Sequence, residues 1–354
     1  MKEFGSEFHI EYGRDKYFTQ IASLKEHHAF VSTGREAILL AARHLVCNNK
    51  VVLMPAYCCW SMEAPFIQEG YRIVYYRLNN DLSINIDYLL SLISQEHPNM
   101  VMVVNYFGFT TTTNIVNTIK IEYPSIDIIE DFSHCLFSLN DIFNPNVDYY
   151  VASIRKSIGI PDGGICISNN DLGEIEANSA TKFIQLRLQS EKLKYKYQYT
   201  ASQSDKDEFY MGLSDAATIL KTQKQIIPTQ ISNESSAILN HTLTEIIKIA
   251  RTHNYKHLYN LIKDNKNLTI PFNPELNHTS PFTLPILVRN RDEMQKKLAE
   301  KGIYAPVLWP ITDIARSTCK VASKFSAMML ALPIDQRYDY YDIEEIGKRI
   351  NETI

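Results

Sequence analysis

From about residue 30 to residue 170 the chain alternates short apolar runs with longer helical stretches, and that alternation leaves few architectures open. The runs are Val51–Met54, Ile73–Tyr76, Met100–Val104, Ile126–Ile129, Tyr149–Ile154 and Ile165–Ile167. They are short and rich in β-branched residues, and helical stretches separate them. Strands of this kind are buried on both faces, as in a largely parallel sheet covered by helices on either side. In such sheets ligands bind beyond the carboxyl ends of the strands. The pattern predicts an α/β protein whose site residues follow the apolar runs.

Two of those ends carry chemistry. Ile128-Ile129 leads into Glu130-Asp131-Phe132-Ser133-His134, and Tyr149–Ile154 leads through Ser153 into Arg155-Lys156, with Gly163-Gly164 beyond. An acid after one run and a lysine followed by paired glycines after another is what a pyridoxal phosphate site needs. The cofactor's aldehyde condenses with a lysine amine, and its ring nitrogen faces a carboxylate that keeps it protonated. Lys156 is the candidate catalytic residue and Asp131 the candidate partner of the ring. The lysine has to lose its proton to react, which burial and a neighbouring cation favour. Arg155 need not be that cation, because successive strand residues face opposite sides. By the same alternation Glu130 points away from the site and reads as structural. Thr33 with Glu36 makes a capping box that opens a helix through Leu45, and the unpaired N–H groups at such an end suit a phosphate.

These residues, in this order, resemble the DegT/DnrJ/EryC1/StrS family of pyridoxal phosphate-dependent sugar aminotransferases. Ser32–Ile38 looks like the family's phosphate-binding turn and Pro55–Trp60 like the strand end that covers the ring. Val104–Gly108, Glu130-Asp131, Lys301–Pro306 and Leu332–Ile334 fall in the expected order around Lys156. The resemblance implies an aspartate-aminotransferase-like fold of type I. Residues 1–235 would form a large cofactor-binding domain with a mostly parallel sheet, and 236–354 a small α+β domain. It implies Gly34, Arg35 and Ser153 near the phosphate, although the family's serine stands two residues further from the lysine. It also places His134 near the cofactor's phenolic oxygen. The family's ring-stacking aromatic aligns with Cys59, which leaves Trp60 or Tyr57 to stack. Tyr210–Asp215 resembles the segment that reaches across a dimer, with Tyr210 where an asparagine usually stands.

The implied activity is amino transfer, from glutamate, to a nucleotide-linked keto-sugar in surface polysaccharide biosynthesis, by a cytoplasmic homodimer with shared sites. A lysine at position 156 argues against the family's sugar dehydratases, which carry histidine there. Two alternatives stay open. One is the same chemistry on a small or phosphorylated non-nucleotide carbonyl compound; the other is a non-catalytic binding or regulatory protein with this fold.

Bulk properties agree with an ordinary globular enzyme. The 354 residues are 45% hydrophobic and 21% charged, and the net charge of -4 exerts no global pull toward nucleic acid or anionic membrane. No apolar run approaches the ~20 residues of a membrane span, and Met1–Glu7 does not read as a signal peptide. The six cysteines, Cys47, Cys58, Cys59, Cys135, Cys166 and Cys319, show no Cys-x-x-Cys spacing, so a reduced protein without a metal site is expected. Neither a Walker loop nor a Gly-x-Gly-x-x-Gly motif occurs, against an ATPase or a nicotinamide dehydrogenase. Residues 170–260 read as mainly helical, with a loop at Thr200–Asp205. The basic and aromatic residues from Arg187 to Tyr199 read as a solvated helix face, or as a grip for a nucleotide diphosphate. A strand at Phe282–Val288 and a helix at Arg291–Lys301, stopped by Gly302, complete the reading.

Overall fold

The computed structural model describes residues 4–5, 16–45, 50–177, 181–276 and 279–354. Cys47 and most of Met1–Glu7 lie outside the described residues. Seven strands make the central sheet: β1 (His27–Val31), β2 (Val51–Pro55), β3 (Arg72–Tyr76), β4 (Met100–Val104), β5 (Asp127–Asp131), β6 (Tyr149–Ser153) and β7 (Gly164–Ser168). Their spatial order is β1-β7-β6-β5-β4-β2-β3. Every pairing from β3 across to β6 is parallel, and β7 alone runs antiparallel to both its neighbours. The mostly parallel α/β sheet expected from the apolar runs is present. All residues of β2, β4, β6 and β7 are buried, as strands covered on both faces require.

Register brings the site residues to one edge. Asp131 ends β5 opposite Val151, Ser153 ends β6 opposite Gly164, and Val31 ends β1 opposite the same glycine. Helix α1 (Gly34–Ala42) starts there, capped by Thr33, whose hydroxyl accepts the Glu36 N–H at 3.4 Å and donates to Glu36 Oε1 at 2.8 Å. The Glu36 carboxylate also takes the Thr229 N–H at 3.0 Å. The approach of α1 to the sheet is close. A Cβ on Gly34 would stand 2.7 Å from Ser153 Cβ, and one on Gly164 would stand 2.4 Å from the Thr33 carbonyl oxygen.

Two long helices, α2 (Lys182–Thr200) and α3 (Gln203–Thr222), pack as a hairpin. The loop expected at Thr200–Asp205 shrinks to Ala201 and Ser202. Its polar residues turn out to be the caps: Ser202 accepts the Asp205 N–H, and Asp205 in turn pairs with Lys196 at 2.8 Å. The remaining chain builds an antiparallel sheet of β8 (Leu268–Thr269), β9 (Leu284–Val288) and β10 (Met329–Leu332), in the order β10-β9-β8. It shares a separate core with α4 (Thr244–Ile262) and α5 (Tyr340–Thr353), built around Leu258, Ile286, Leu330 and Ile346. The helix after β9 spans Arg291–Glu300, and Gly302 follows it at φ 76°.

Candidate active site

A cavity of about 480 Å³ opens at the shared strand edge. Gly34, Arg35, Trp60, Asp131, Ser153 and Lys156, six of the seven residues expected from sequence, line it. Asp131 is 7% exposed, and its Oδ1 accepts the Ser133 N–H at 2.8 Å. Among the described residues it forms no ion pair, so a buried carboxylate faces the cavity without a cationic partner of its own. Glu130 faces away as expected: Thr112 donates its hydroxyl to Glu130 Oε1 at 2.8 Å, and burial raises the carboxyl to about 7.

Lys156 is half-buried in a 3-10 turn, Ile154–Lys156, directly after β6. The turn corrects one expectation. Strand alternation stops at Ser153, so Arg155 and Lys156 are not thrown to opposite sides, and both line the cavity. The next carbonyl, Ser157 O, accepts from Arg251 Nη2 and Gln336 Nε2, each at 3.2 Å, which pins the turn from below.

Arg35, expected near the phosphate, lies at that end of the cavity but spends its guanidinium on α3. It lies in the cavity wall rather than in solvent, and its guanidinium donates to the Leu220 carbonyl at 2.6 Å and to the Gln223 side chain, at the end of α3. Trp60 lines the cavity but is 56% exposed, whereas Tyr57 is wholly buried beneath it. His134 does not line the cavity. It lies stacked against Phe282 at 4.6 Å and 3° and against Trp309 at 5.3 Å and 18°. Burial, reinforced by the Lys156 charge, holds its imidazole well below the usual histidine range. The ring is therefore neutral, and since Nδ1 accepts the Phe107 N–H at 3.2 Å, its proton sits on Nε2.

Among the lining residues that escaped the sequence reading are Ser133, Lys221 and Trp309. The Ser133 hydroxyl accepts the Ser153 N–H at 2.8 Å and ties the two strand ends together. Tyr210 packs on Tyr304 of the same chain at 6.0 Å, and Ala217, Leu220 and Lys221 of α3 cover the cavity in cis.

A second cavity of about 520 Å³ meets the first at Lys156. Several of its polar groups are already hydrogen-bonded within the protein. Arg337 grips Asp335 through two bonds of 2.7 and 2.9 Å, Arg251 reaches the Phe282 carbonyl and Gln336, and Gln295 donates to the Ala305 carbonyl. Ala299, Pro306, Ala331 and Ile334 supply much of the remaining wall.

The donor set of the first cavity fits pyridoxal phosphate. A helix N-terminus, two serines and the cations Arg155 and Lys221 suit the phosphate, and the unpaired carboxylate of Asp131 suits a protonated ring nitrogen. Among the described residues there is no cluster able to hold a metal ion, and no helix is long and apolar enough to cross a membrane. The five described cysteines are free thiols.

Sheet, strand-end carboxylate and lysine together define a fold-type I enzyme dependent on pyridoxal phosphate. The model of the DegT/DnrJ/EryC1/StrS aminotransferase family matches residues 15–351, and the chain belongs to that family of pyridoxal phosphate-dependent aminotransferases. A search of curated proteins finds no match. Among solved structures, the chain is similar to Helicobacter pylori PseC, an aminotransferase involved in the biosynthesis of pseudoaminic acid, at TM-score 0.69 and 14% identity over 99% of both chains. It is similar to Bacillus subtilis NtdA with bound cofactor PMP at TM-score 0.65 and 15% identity, over 97% of this chain and 78% of that one. The sugar aminotransferase CalS13 from Micromonospora echinospora gives TM-score 0.63 and 13% identity over 99% and 100%. At such identities these likenesses establish the fold.

Proposed function

We propose that the enzyme transfers an amino group from glutamate to a keto-sugar carried on a nucleotide, in surface polysaccharide biosynthesis, as a cytosolic homodimer with shared sites. The observation that carries the reading is the meeting of two cavities at Lys156: one is furnished for the cofactor, and the other leaves room for a substrate. The similarity to the sugar aminotransferase CalS13 and to PseC supports the sugar.

When bound, pyridoxal phosphate supplies the electron sink for the bonds broken at the substrate carbon. Asp131 holds the proton on the ring nitrogen. Gly34, Ser153 and the start of α1 bind the phosphate, with Arg35 holding α3 across that end. His134, which does not line the cavity, serves instead as a neutral ring stacked behind Trp309. Lys156 Nζ takes the proton from the donor's α-carbon, and in the return half it delivers one to the carbon that enters as the acceptor's carbonyl. Glutamate leaves as its oxo acid, and the acceptor's oxygen leaves as water.

A second reading keeps the chemistry and changes the acceptor to a small or phosphorylated carbonyl compound without a nucleotide. It is favoured by the second cavity, whose walls are largely apolar. Assaying the purified protein with glutamate against nucleotide keto-sugars and small ketones separates the two. Oxo-acid release that requires the nucleotide supports the first reading, and turnover of small ketones alone replaces it with the second.

A further inference from the structure

A planar cofactor held by its phosphate and ring nitrogen still needs a flat apolar wall, and the position where one is expected is Cys59, whose thiol has no ring to stack. Of the neighbours, Tyr57 is wholly buried and does not reach the cavity, and Trp60 is 56% exposed. Trp309, from the loop beyond Lys301–Pro306, does reach it. Its indole is 8% exposed, lines the cavity beside Cys59 and Asp131, and has Lys156 Nζ 5.8 Å from a ring centroid. It is also braced. His134 stacks on it at 5.3 Å and 18°, Phe282 stacks on His134, and Tyr57 packs against it at 5.3 Å. A ring fixed by that many contacts loses little rotamer freedom when it receives a second ring.

We propose that Trp309 is the residue that covers the cofactor ring, replacing an aromatic missing at Cys59, and that Trp60 is not. The proposal rests on the reading of Lys156 and Asp131 as the lysine and carboxylate of the pyridoxal phosphate site. In consequence the cofactor chamber is closed by a residue distant in sequence from the strand ends that carry Asp131 and Lys156. The Phe282–His134–Trp309 stack then connects this wall to β9, which starts two residues after Phe282.

The test uses the full-length chain with its cofactor removed, titrated with pyridoxal phosphate while the visible absorption band is followed. The variants are Trp309→Leu, Trp309→Phe and Trp60→Leu. Leucine keeps the wall apolar but removes the ring face, and phenylalanine keeps a face. Trp309→Leu is expected to weaken cofactor affinity about tenfold, the loss of one base-like stacking contact, and to shift the absorption band. Trp309→Phe restores most of the affinity, and Trp60→Leu stays close to the native value. Each loaded variant is also reduced with borohydride and mapped. Label on Lys156 upholds the underlying site, so an affinity loss that follows Trp60, or one equal in the leucine and phenylalanine variants, overturns the Trp309 assignment alone. Label elsewhere removes the site reading and this proposal with it.

Discussion

Replacing Gly164 by alanine tests whether the close contact between β7 and the start of α1 shapes the cofactor site. The added Cβ would lie 2.4 Å from Thr33 O, 2.5 Å from Thr33 C and 2.8 Å from Gly34 N. All three are backbone atoms, so no side chain can swing aside, and the strand and helix end have to part. Overpacking of this kind costs about 1–3 kcal/mol, at the upper end against backbone. Removing a glycine from the unfolded chain returns about 0.4–1 kcal/mol. The net expectation is a loss of about 2 kcal/mol, a fall of roughly 0.7 M in the urea midpoint at a slope near 3 kcal/mol/M. Because the displaced atoms open α1, pyridoxal phosphate affinity should drop in the same variant. Gly70→Ala is the control: its φ is 78° with no atom within 4 Å, so it carries only the left-handed penalty of about 1–2 kcal/mol and leaves the cofactor alone. An unchanged midpoint together with unchanged affinity in Gly164→Ala would refute the reasoning.

Asp131→Asn is expected to keep its cofactor yet lose at least about 100-fold in turnover, since an amide cannot hold the ring proton by charge; near-native turnover removes Asp131 from the mechanism. Lys156→Ala should fold with a near-native midpoint, take no borohydride label and turn over nothing, and substantial residual activity would move the proton transfer to another group. Glu130, raised by burial to about 7 from an ordinary value near 4.5, keeps its proton in the folded chain after the unfolded chain has lost it. The folded state binds more protons in that window, so stability falls as pH rises from about 4.5 to 7, by about 3 kcal/mol in all. Urea midpoints at both ends should show that slope reduced in Glu130→Gln, and an identical slope in the variant rules the residue out.

The central strands were legible because burial on both faces writes a continuous apolar run, as in Met100–Val104. His27–Val31 was not, since an edge strand with exposed His27 and His28 carries no such run. The reversal of β7 left no local signal, because its direction is set by the turn between Ile154 and Gly164 and by pairing with β1. Asp131 and Lys156 could be placed at the cavity because one ends a recognisable strand and the other lies in the turn after one, and Gly34 because Thr33 and Glu36 mark the helix start. Arg155 was misjudged for a local reason: the alternation used to place it ends at Ser153, one residue before the turn begins. Trp309 and Lys221 reach the cavity only through tertiary packing, from segments whose own patterns describe a loop and a helix end. The identity of the ring-covering side chain therefore had to wait for the structure.

The position of Lys156 between two chambers has a kinetic consequence. In the reaction proposed above the Lys156 amine serves both halves of the exchange, and with the cofactor in one chamber donor and acceptor occupy the other in turn and never together. The oxo acid has to leave before the acceptor enters. Initial-rate plots at several fixed acceptor concentrations should then be parallel rather than convergent, and each substrate in excess should inhibit by filling the form of the enzyme reserved for the other.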